Sequence, residues 1–334
     1  MRGSDSLHPY RRAPQNVTIN DRAMTMISRV AVIIPYYQWR VGLLADALTS
    51  VFAQTAPNVV SVIVIDDGSP HPASAELAEL SAAERSRIML IEQQNGGVSA
   101  ARNRGINSLS PDIDLVAFLD PDDRWSTDHV ANALAAFEQG ALFYFSDFRR
   151  DNSQQTRFER IGFCPDPKTR LRAGKNLYRY EGDIIFDMTR SPMSGTSTVI
   201  MKRSLIGKHR FREDISAFED LLFWLTCLSK SEKSVIFSTN CEALYCSTDG
   251  LITSAVWGSR RSLEVISDQV RVLYALTAFA NGKPEFQDWI SAERRRLGRE
   301  FFITAGYRAF HLKPIHPRIL VNFLRVWLSP IAVT

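Results

Sequence analysis

Continuous apolar runs that stop abruptly at proline or acidic residues constrain this chain more than any other feature. Val30-Ala31-Val32-Ile33-Ile34 stops at Pro35, the run 59–65, broken only by Ser61, stops at Asp66-Asp67-Gly68-Ser69, and the run 115–119 stops at Asp120-Pro121-Asp122-Asp123. A run that is apolar at every position must be covered on both faces, which is the condition of a strand inside a parallel sheet. Between the runs, residues 41–54 place Leu43, Leu44, Ala47, Leu48, Val51 and Phe52 at helical spacing. Residues 73–83 are helical in composition, 88–91 read as a short third strand, and 98–109 restart a helix after Asn95-Gly96-Gly97. Strand–helix alternation with short connections predicts an α/β fold: a mostly parallel sheet, right-handed crossovers and flanking helices. Ligands of such sheets sit outside the carboxyl ends of the strands. Here three of those ends, Pro35-Tyr36-Tyr37, Asp66-Asp67 and Asp120-Pro121-Asp122, are expected on one rim.

Further along, 127–139 reads as a helix with Asp128 in its first turn, and 142–145 as a strand. Residues 149–183 are charged and poorly patterned, and are expected as an irregular insertion over the rim. A small-residue loop at 192–196 leads into a short strand at 197–201. Phe218-Glu219-Asp220 opens an amphipathic helix at 221–228, and 235–237 and 243–245 look like closing strands. From Ser262 onward the pattern is wholly helical, over 265–280, 285–310 and 318–328. The expected division is a disordered N-terminal arm at 1–28, a catalytic domain at 29–255 and a C-terminal helical extension at 256–334.

Composition excludes several classes. Forty Lys and Arg against 36 Asp and Glu leave a net charge of +4, too little to support a nucleic-acid reading. Cys164, Cys227, Cys241 and Cys246 show no paired spacing and no neighbouring histidines, so reduced structural thiols in a cytoplasmic setting are expected. The polar leader has no apolar h-region, and no uncharged apolar run reaches the length of a membrane-spanning helix.

Three carboxylates within four positions at the end of a buried strand are costly unless a cation sits there. A hard divalent ion that also bridges a substrate diphosphate meets that need, though Asp and Pro are also ordinary turn residues. Asp67 offers a carboxylate to a ring N–H such as that of uracil, with Gly68 allowing close backbone approach; a plain strand-to-helix turn is the simpler alternative. The Gly-Gly-Val-Ser loop and Arg102 could hold a diphosphate, or could be an exposed loop and a solvated arginine. Glu219-Asp220 reads either as a first-turn acidic pair or as a general base.

Taken in order, VAVIIPYYQ, VIVIDDGS, GGVSAARNRGI, VAFLDPDD-RW and FED resemble the family 2 glycosyltransferases, over about residues 30–253. That resemblance implies a GT-A fold and inverting transfer from a nucleotide sugar, expected to be a UDP-sugar, to a glycan or lipid-linked acceptor. It further implies Mn²⁺ or Mg²⁺ held by Asp122 with Asp120 near the donor ribose, and a nucleotide base held by Pro35, Tyr37 and Asp67. Arg102 would lie close to the diphosphate, Asp220 would be the catalytic base, and Glu219 would orient the acceptor or that aspartate. One departure is Thr248, which stands where many relatives carry a histidine near the metal. The QxxRW pattern of processive synthases is missing, which favours single additions. A catalytically silent nucleotide-sugar-binding or scaffolding protein is the alternative; a nucleotidyltransferase is disfavoured by the lack of a Gly-rich motif with a following lysine.

The C-terminal helices carry Arg294-Arg295-Arg296 and Arg299 beside Phe301-Phe302, then 323–328 with Arg325 and Trp327. They are expected to pack on the domain or on a second subunit, with peripheral contact to an anionic membrane surface at the cytoplasmic face as the other reading.

Overall fold

The computed structural model describes residues 28–38, 40–172, 176–231, 234–246 and 255–329. The expected arm at 1–28 therefore lies almost wholly outside the described residues, as does Thr248.

The first half realises the alternation: β1 (Val30–Tyr36), α1 (Leu43–Phe52), β2 (Val59–Asp66), α2 (Ala73–Leu77), α3 (Ala82–Arg85), β3 (Ile88–Glu92), α4 (Val98–Asn107) and β4 (Leu115–Phe118). There follow β5 (Asp123–Trp125), α5 (His129–Glu138), β6 (Phe143–Arg150), α6 (Arg157–Ile161), β7 (Leu177–Arg179) and α7 (Ile184–Arg190). Next come β8 (Ile200–Lys202), α8 (Arg203–Ile206), α9 (Glu219–Leu228) and β9 (Val235–Tyr245). The C-terminal helices are α10 (Arg260–Leu276), α11 (Pro284–Phe310) and α12 (Pro317–Trp327).

The strands form one sheet in the order β3-β2-β1-β4-β8-β6-β9-β5, with β7 paired to β9. β1 is parallel to β2 and β4, and β2 to β3. β8 runs against both β4 and β6, so β6, and β9 parallel to it, point the same way as β1. Only β5, β7 and β8, each three residues long, oppose the rest. The sheet is thus mostly parallel. Alternate residues of β1 enter two cores: Ala31 and Ile33 pack on the α4 and α9 side, Val32 and Ile34 on the α1 and α5 side. Burial on both faces is why the run has no polar alternation.

Several boundaries differ from the pattern-based expectation, each for a physical reason. β1 continues through Pro35 to Tyr36. The Ile33 carbonyl accepts from Leu119 on the β4 side, and Tyr36 accepts from Asp67 on the β2 side. Pro35 shares the Ile33 direction, and its missing N–H falls beyond the last β1–β4 partner pair, Ile33 with Phe118, so no ladder bond is lost. Residues 73–83 split into two helices because Ser81 and Glu84 form a capping box that starts α3 afresh. The expected strand at 197–201 begins only at Ile200, after a 3₁₀ turn over Thr196–Thr198. The stretch 149–183 is less irregular than its charge suggests: α6 carries a Thr156–Glu159 capping box and β7 joins the sheet. The two expected closing strands are one strand, β9, irregular in its register opposite Asp147.

Val272 and Leu276 of α10, with Phe286 and Ile290 of α11, belong to the same core as Phe118 and Trp224. The rest of the C-terminal helices close on one another around Leu263, Phe301 and Phe323, with Phe301 and Phe323 stacked at 3.7 Å. Arg294, far from being a surface charge, is buried and donates from Nη2 to the carbonyls of Val326, Trp327 and Ser329 at the end of α12. Arg295, Arg296, Arg299 and Phe302 are exposed.

Candidate active site

The parallel register brings the ends of β1, β2 and β4 to one rim, and local chemistry then assigns different tasks to neighbouring residues. Asp66 is a turn organiser: its carboxylate accepts from the Ser69 and Ala73 N–H groups at 2.8 and 2.7 Å. Tyr36 is buried and donates to Glu76 at 2.8 Å, whereas Tyr37 stands exposed on the rim and Pro35 is buried in the strand. Asp67 is buried and holds the next loop. Its Oδ1 accepts from Gln93 Nε2 and the Gly96 N–H, and its Oδ2 from the Gly97 N–H, all at 2.8 Å. Gly68 makes this possible: at φ +68° it is left-handed, and a Cβ there would meet the Asn95 nitrogen at 3.1 Å. A carboxylate has about four acceptor positions, so Oδ2 keeps one for a ligand.

The loop that Asp67 holds leads into α4, whose Arg102 is the hub of the site. Arg102 is 3% exposed; Nη1 donates to Glu219 Oε1 and Nη2 to Asp120 Oδ1, both at 2.8 Å, above the ring of Phe211. One guanidinium thus ties the end of β4 to the start of α9, which lies far along the chain. Burial pulls its pKa down, but the charges of Asp120, Glu219 and Asp220 outweigh burial and raise it. Gly105, on the same helix, sets how closely α4 approaches β1: a Cβ there would lie 2.5 Å from Ile33 Cγ2. On the far side Phe118 packs against Trp224 at 5.1 Å and Phe211 stacks on Phe223 at 3.9 Å, so α9 is anchored beneath the rim. The backbone turns into α9 at Phe218, a non-glycine residue at φ +65°. Burial, and then the neighbouring Asp220 charge, push Glu219 up to about 7 against the pull of Arg102.

Asp220 is reached from a second direction. Thr196 Oγ1 donates to its Oδ2 at 2.9 Å, while its Oδ1 accepts from the Leu221 N–H at 2.7 Å. The adjacent Ser197 accepts the Asp120 N–H at 3.0 Å and donates to Asp123 Oδ2 at 2.6 Å. Its carbonyl receives the Trp125 indole N–H at 2.6 Å, and its own N–H donates to the Tyr245 hydroxyl at 3.1 Å. The Thr196-Ser197 pair is therefore a strut between the Asp120–Asp123 turn and Asp220. Gly195 is obligatory beside it, since a Cβ there would overlap the Tyr245 hydroxyl. Neither hydroxyl residue was singled out for the site from sequence. Only the placing of a small, hydroxyl-rich loop before a buried strand hinted at it.

Arg102, Asp120, Glu219 and Asp220 are thus brought together by direct bonds or through Thr196-Ser197. Asp67 joins them through the loop preceding α4, while Pro35 and Tyr37 lie on the β1–β2 side of the rim. Asp122 is partly exposed beside Asp120. Asp123 is buried, and burial, followed by the charges of Asp120 and Asp122, raises its pKa well above the carboxylate range despite the Ser197 bond. This excess of negative charge at one strand end suits a cation. Among the described residues no three His, Cys, Asp or Glu side chains gather to enclose an ion alone. One or two carboxylates sharing a hard ion with substrate phosphates is the arrangement that fits Asp122 and Asp120. Beside them Ser99 Oγ and Arg102 Nε are buried with no hydrogen-bond partner among the described residues, two polar groups on the first turns of α4.

Residues 31–206, more than half of the chain, match Glycosyl transferase family 2. The chain is 36% identical over 214 residues to the succinoglycan biosynthesis protein ExoW of Rhizobium meliloti (strain 1021), covering 63% of this chain and 66% of that protein. Among solved structures it is similar to residues 1–349 of S. aureus TarS in complex with UDP-GlcNAc, at a TM-score of 0.54 and 18% identity over 76% of this chain and 72% of that one. It is also similar to the mannosyltransferase PcManGT from Pyrobaculum calidifontis in complex with GDP-Man and Mn²⁺, at a TM-score of 0.55 and 16% identity over 90% and 80%. These two share its fold, a curled, mostly parallel GT-A sheet. With the family pattern running from β1 through α8, the chain belongs to glycosyl transferase family 2.

Proposed function

We propose that this protein is a metal-assisted, inverting glycosyltransferase that moves a sugar from a nucleotide donor, a UDP-sugar in this reading, to a hydroxyl of a glycan or lipid-linked acceptor. The observation that carries the reading is the Arg102 bridge, which draws the helix bearing Asp220 to the strand end bearing Asp120. Support comes from relatives: the name of ExoW concerns succinoglycan biosynthesis, and the structural neighbours hold UDP-GlcNAc or GDP-Man with Mn²⁺.

In this reading the remaining acceptor position on Asp67 Oδ2 takes a ring N–H of the base, and Tyr37 covers the ring from the exposed rim. Asp122, with Asp120 beside it, would hold Mg²⁺ or Mn²⁺, which when bound supplies positive charge to the departing diphosphate. Each oxygen of Asp220 already accepts one hydrogen bond and keeps capacity for another. It therefore receives the proton of the acceptor hydroxyl as that oxygen bonds to the anomeric carbon. The bond to the diphosphate oxygen breaks on the opposite face, so configuration inverts and no covalent enzyme intermediate forms. Glu219, fixed by Arg102, orients Asp220 and the acceptor. Among the described residues no helix is long and apolar enough to cross a membrane. We place the reaction in the cytoplasm, at the inner membrane face for a lipid-linked acceptor.

The test combines Asp220→Asn with calorimetry of UDP and Mn²⁺ and with donor turnover. Transfer and donor hydrolysis should fall by at least about a thousandfold, the combined effect of losing general-base catalysis and its positioning, while nucleotide binding stays within about twofold of wild type. Retained turnover would remove Asp220 from its role, and wild-type protein that binds donor but never cleaves it would show a silent binder.

A further inference from the structure

A cavity that the donor chemistry does not use is lined by residues adjacent in sequence to the proposed base, though not by Asp220 itself. It has a volume of about 170 Å³ and opens between α7, the start of α9, α10 and α11. Its catalytic wall is Phe218 and Leu221, the residues on either side of Glu219-Asp220. Its edge at Pro192 belongs to the loop that, four residues on, supplies Thr196 to Asp220. Its far wall comes from the C-terminal helices, with Trp289 and Gln269. The cavity is therefore continuous in sequence with both groups that hold the base, and it exists only because α10 and α11 pack against α9.

The lining suits one kind of occupant. Phe218 and Trp289 are half-buried aromatic rings, the kind of surface on which the apolar C–H face of a pyranose can lie. Arg190, Gln269 and Glu293 add planar polar groups at the edge, matched to the hydroxyls that ring the same sugar. Arg190 and Glu293 are already engaged, Arg190 over the Phe186 ring and Glu293 with Arg296. Gln269 is half-buried on the cavity wall and makes no hydrogen bond among the described residues. Phe218 is held at φ +65°, where a residue with a side chain pays a conformational penalty that persists only when the surroundings demand it. That conformation lets the chain present the Phe218 ring to the cavity and the next two carboxylates to the rim.

We propose that this cavity is the subsite for a sugar unit of the acceptor, stacked on Trp289 and Phe218 and hydrogen-bonded by Gln269, so that the C-terminal helices select the acceptor. The proposal rests on the glycosyltransferase reading above, and the experiment separates the two. Saturation-transfer NMR on the full chain is run with a panel of methyl gluco-, galacto- and mannopyranosides and their β-linked disaccharides. The same protein is titrated with UDP and with GDP in Mn²⁺. Gln269→Trp fills the cavity and Gln269→Ala only removes the amide; thermal melting checks that both fold.

Wild-type protein should bind at least one glycoside. Gln269→Trp should lose at least about tenfold in affinity, and Gln269→Ala a smaller but measurable factor, about what one hydrogen bond contributes. Nucleotide binding should remain within about twofold in both. Glycoside binding that survives Gln269→Trp, or no glycoside signal from wild-type protein that binds nucleotide, overturns the subsite. Failure of wild type to bind either nucleotide overturns the donor reading instead, independently of the cavity.

Discussion

Replacing Arg102 by methionine tests whether the site is held by one buried cation. The substitution keeps much of the side chain's length and apolar body but leaves Asp120 and Glu219 without their shared partner. Removing one member of a buried ion pair costs about 3–5 kcal/mol. The Asp120 side chain is 28% exposed, so water recovers part of its loss and the lower part of that range, about 3–4 kcal/mol, is expected. For a chain of this size that lowers Tm by about 6–8 °C, at roughly 2 °C per kcal/mol. The penalty should depend on pH with a definite sign. Glu219 is held up to about 7, so it is ionised at pH 8.5 and protonated at pH 5.5. A neutral Glu219 needs no cation, and the cost of Arg102→Met should therefore shrink at the lower pH. Arg102→Lys keeps the charge but lacks the planar fork that sets one nitrogen against each carboxylate, so it should cost about 1.5–3 kcal/mol, the value of one charge-assisted bond. Thermal and urea melts of the three proteins at both pH values are the assay. A methionine variant melting within about 2 °C of wild type at pH 8.5, or a penalty that grows on acidification, would refute the reasoning.

Three further outcomes follow from the same geometry. Glu219→Gln should flatten the pH dependence of stability: with a folded pKa near 7 against 4.5, the native state binds more protons between those values, so wild type loses about 3 kcal/mol across that window as pH rises, seen as a difference between the two titrations. Ser197→Ala leaves the Asp120 N–H and the Asp123 carboxyl without their common partner, and should lower the urea midpoint by the equivalent of about 1–3 kcal/mol with no change in m value. Gly105→Ala forces a methyl group onto Ile33 and should cost about 1–3 kcal/mol by denaturant melt; an unshifted midpoint would mean that α4 can back away from β1 without penalty.

The short β5 and β7 were not legible in the chain itself, whereas strands β1, β2 and β4, their burial on both faces and the position of each rim carboxylate were. They depend on local rules: an unbroken β-branched run has to be covered twice, and acidic residues that interrupt it must lie at its end. What no stretch could reveal was the partnership among those ends. The residues 197–199 look like the start of a strand because Thr and Val favour one, yet Ser197 is bent into a 3₁₀ turn by its bonds to Asp120, Asp123, Trp125 and Tyr245. Arg294 looks like one charge of an exposed basic cluster, yet it caps α12, donating to the carbonyls of Val326, Trp327 and Ser329. Arg102 and Glu219, 117 positions apart, carry no mutual signal in sequence. Periodicity records whether a residue faces a core, which is a property of its own neighbourhood. Which charge meets which is decided only when the sheet closes and α9 packs beneath its rim.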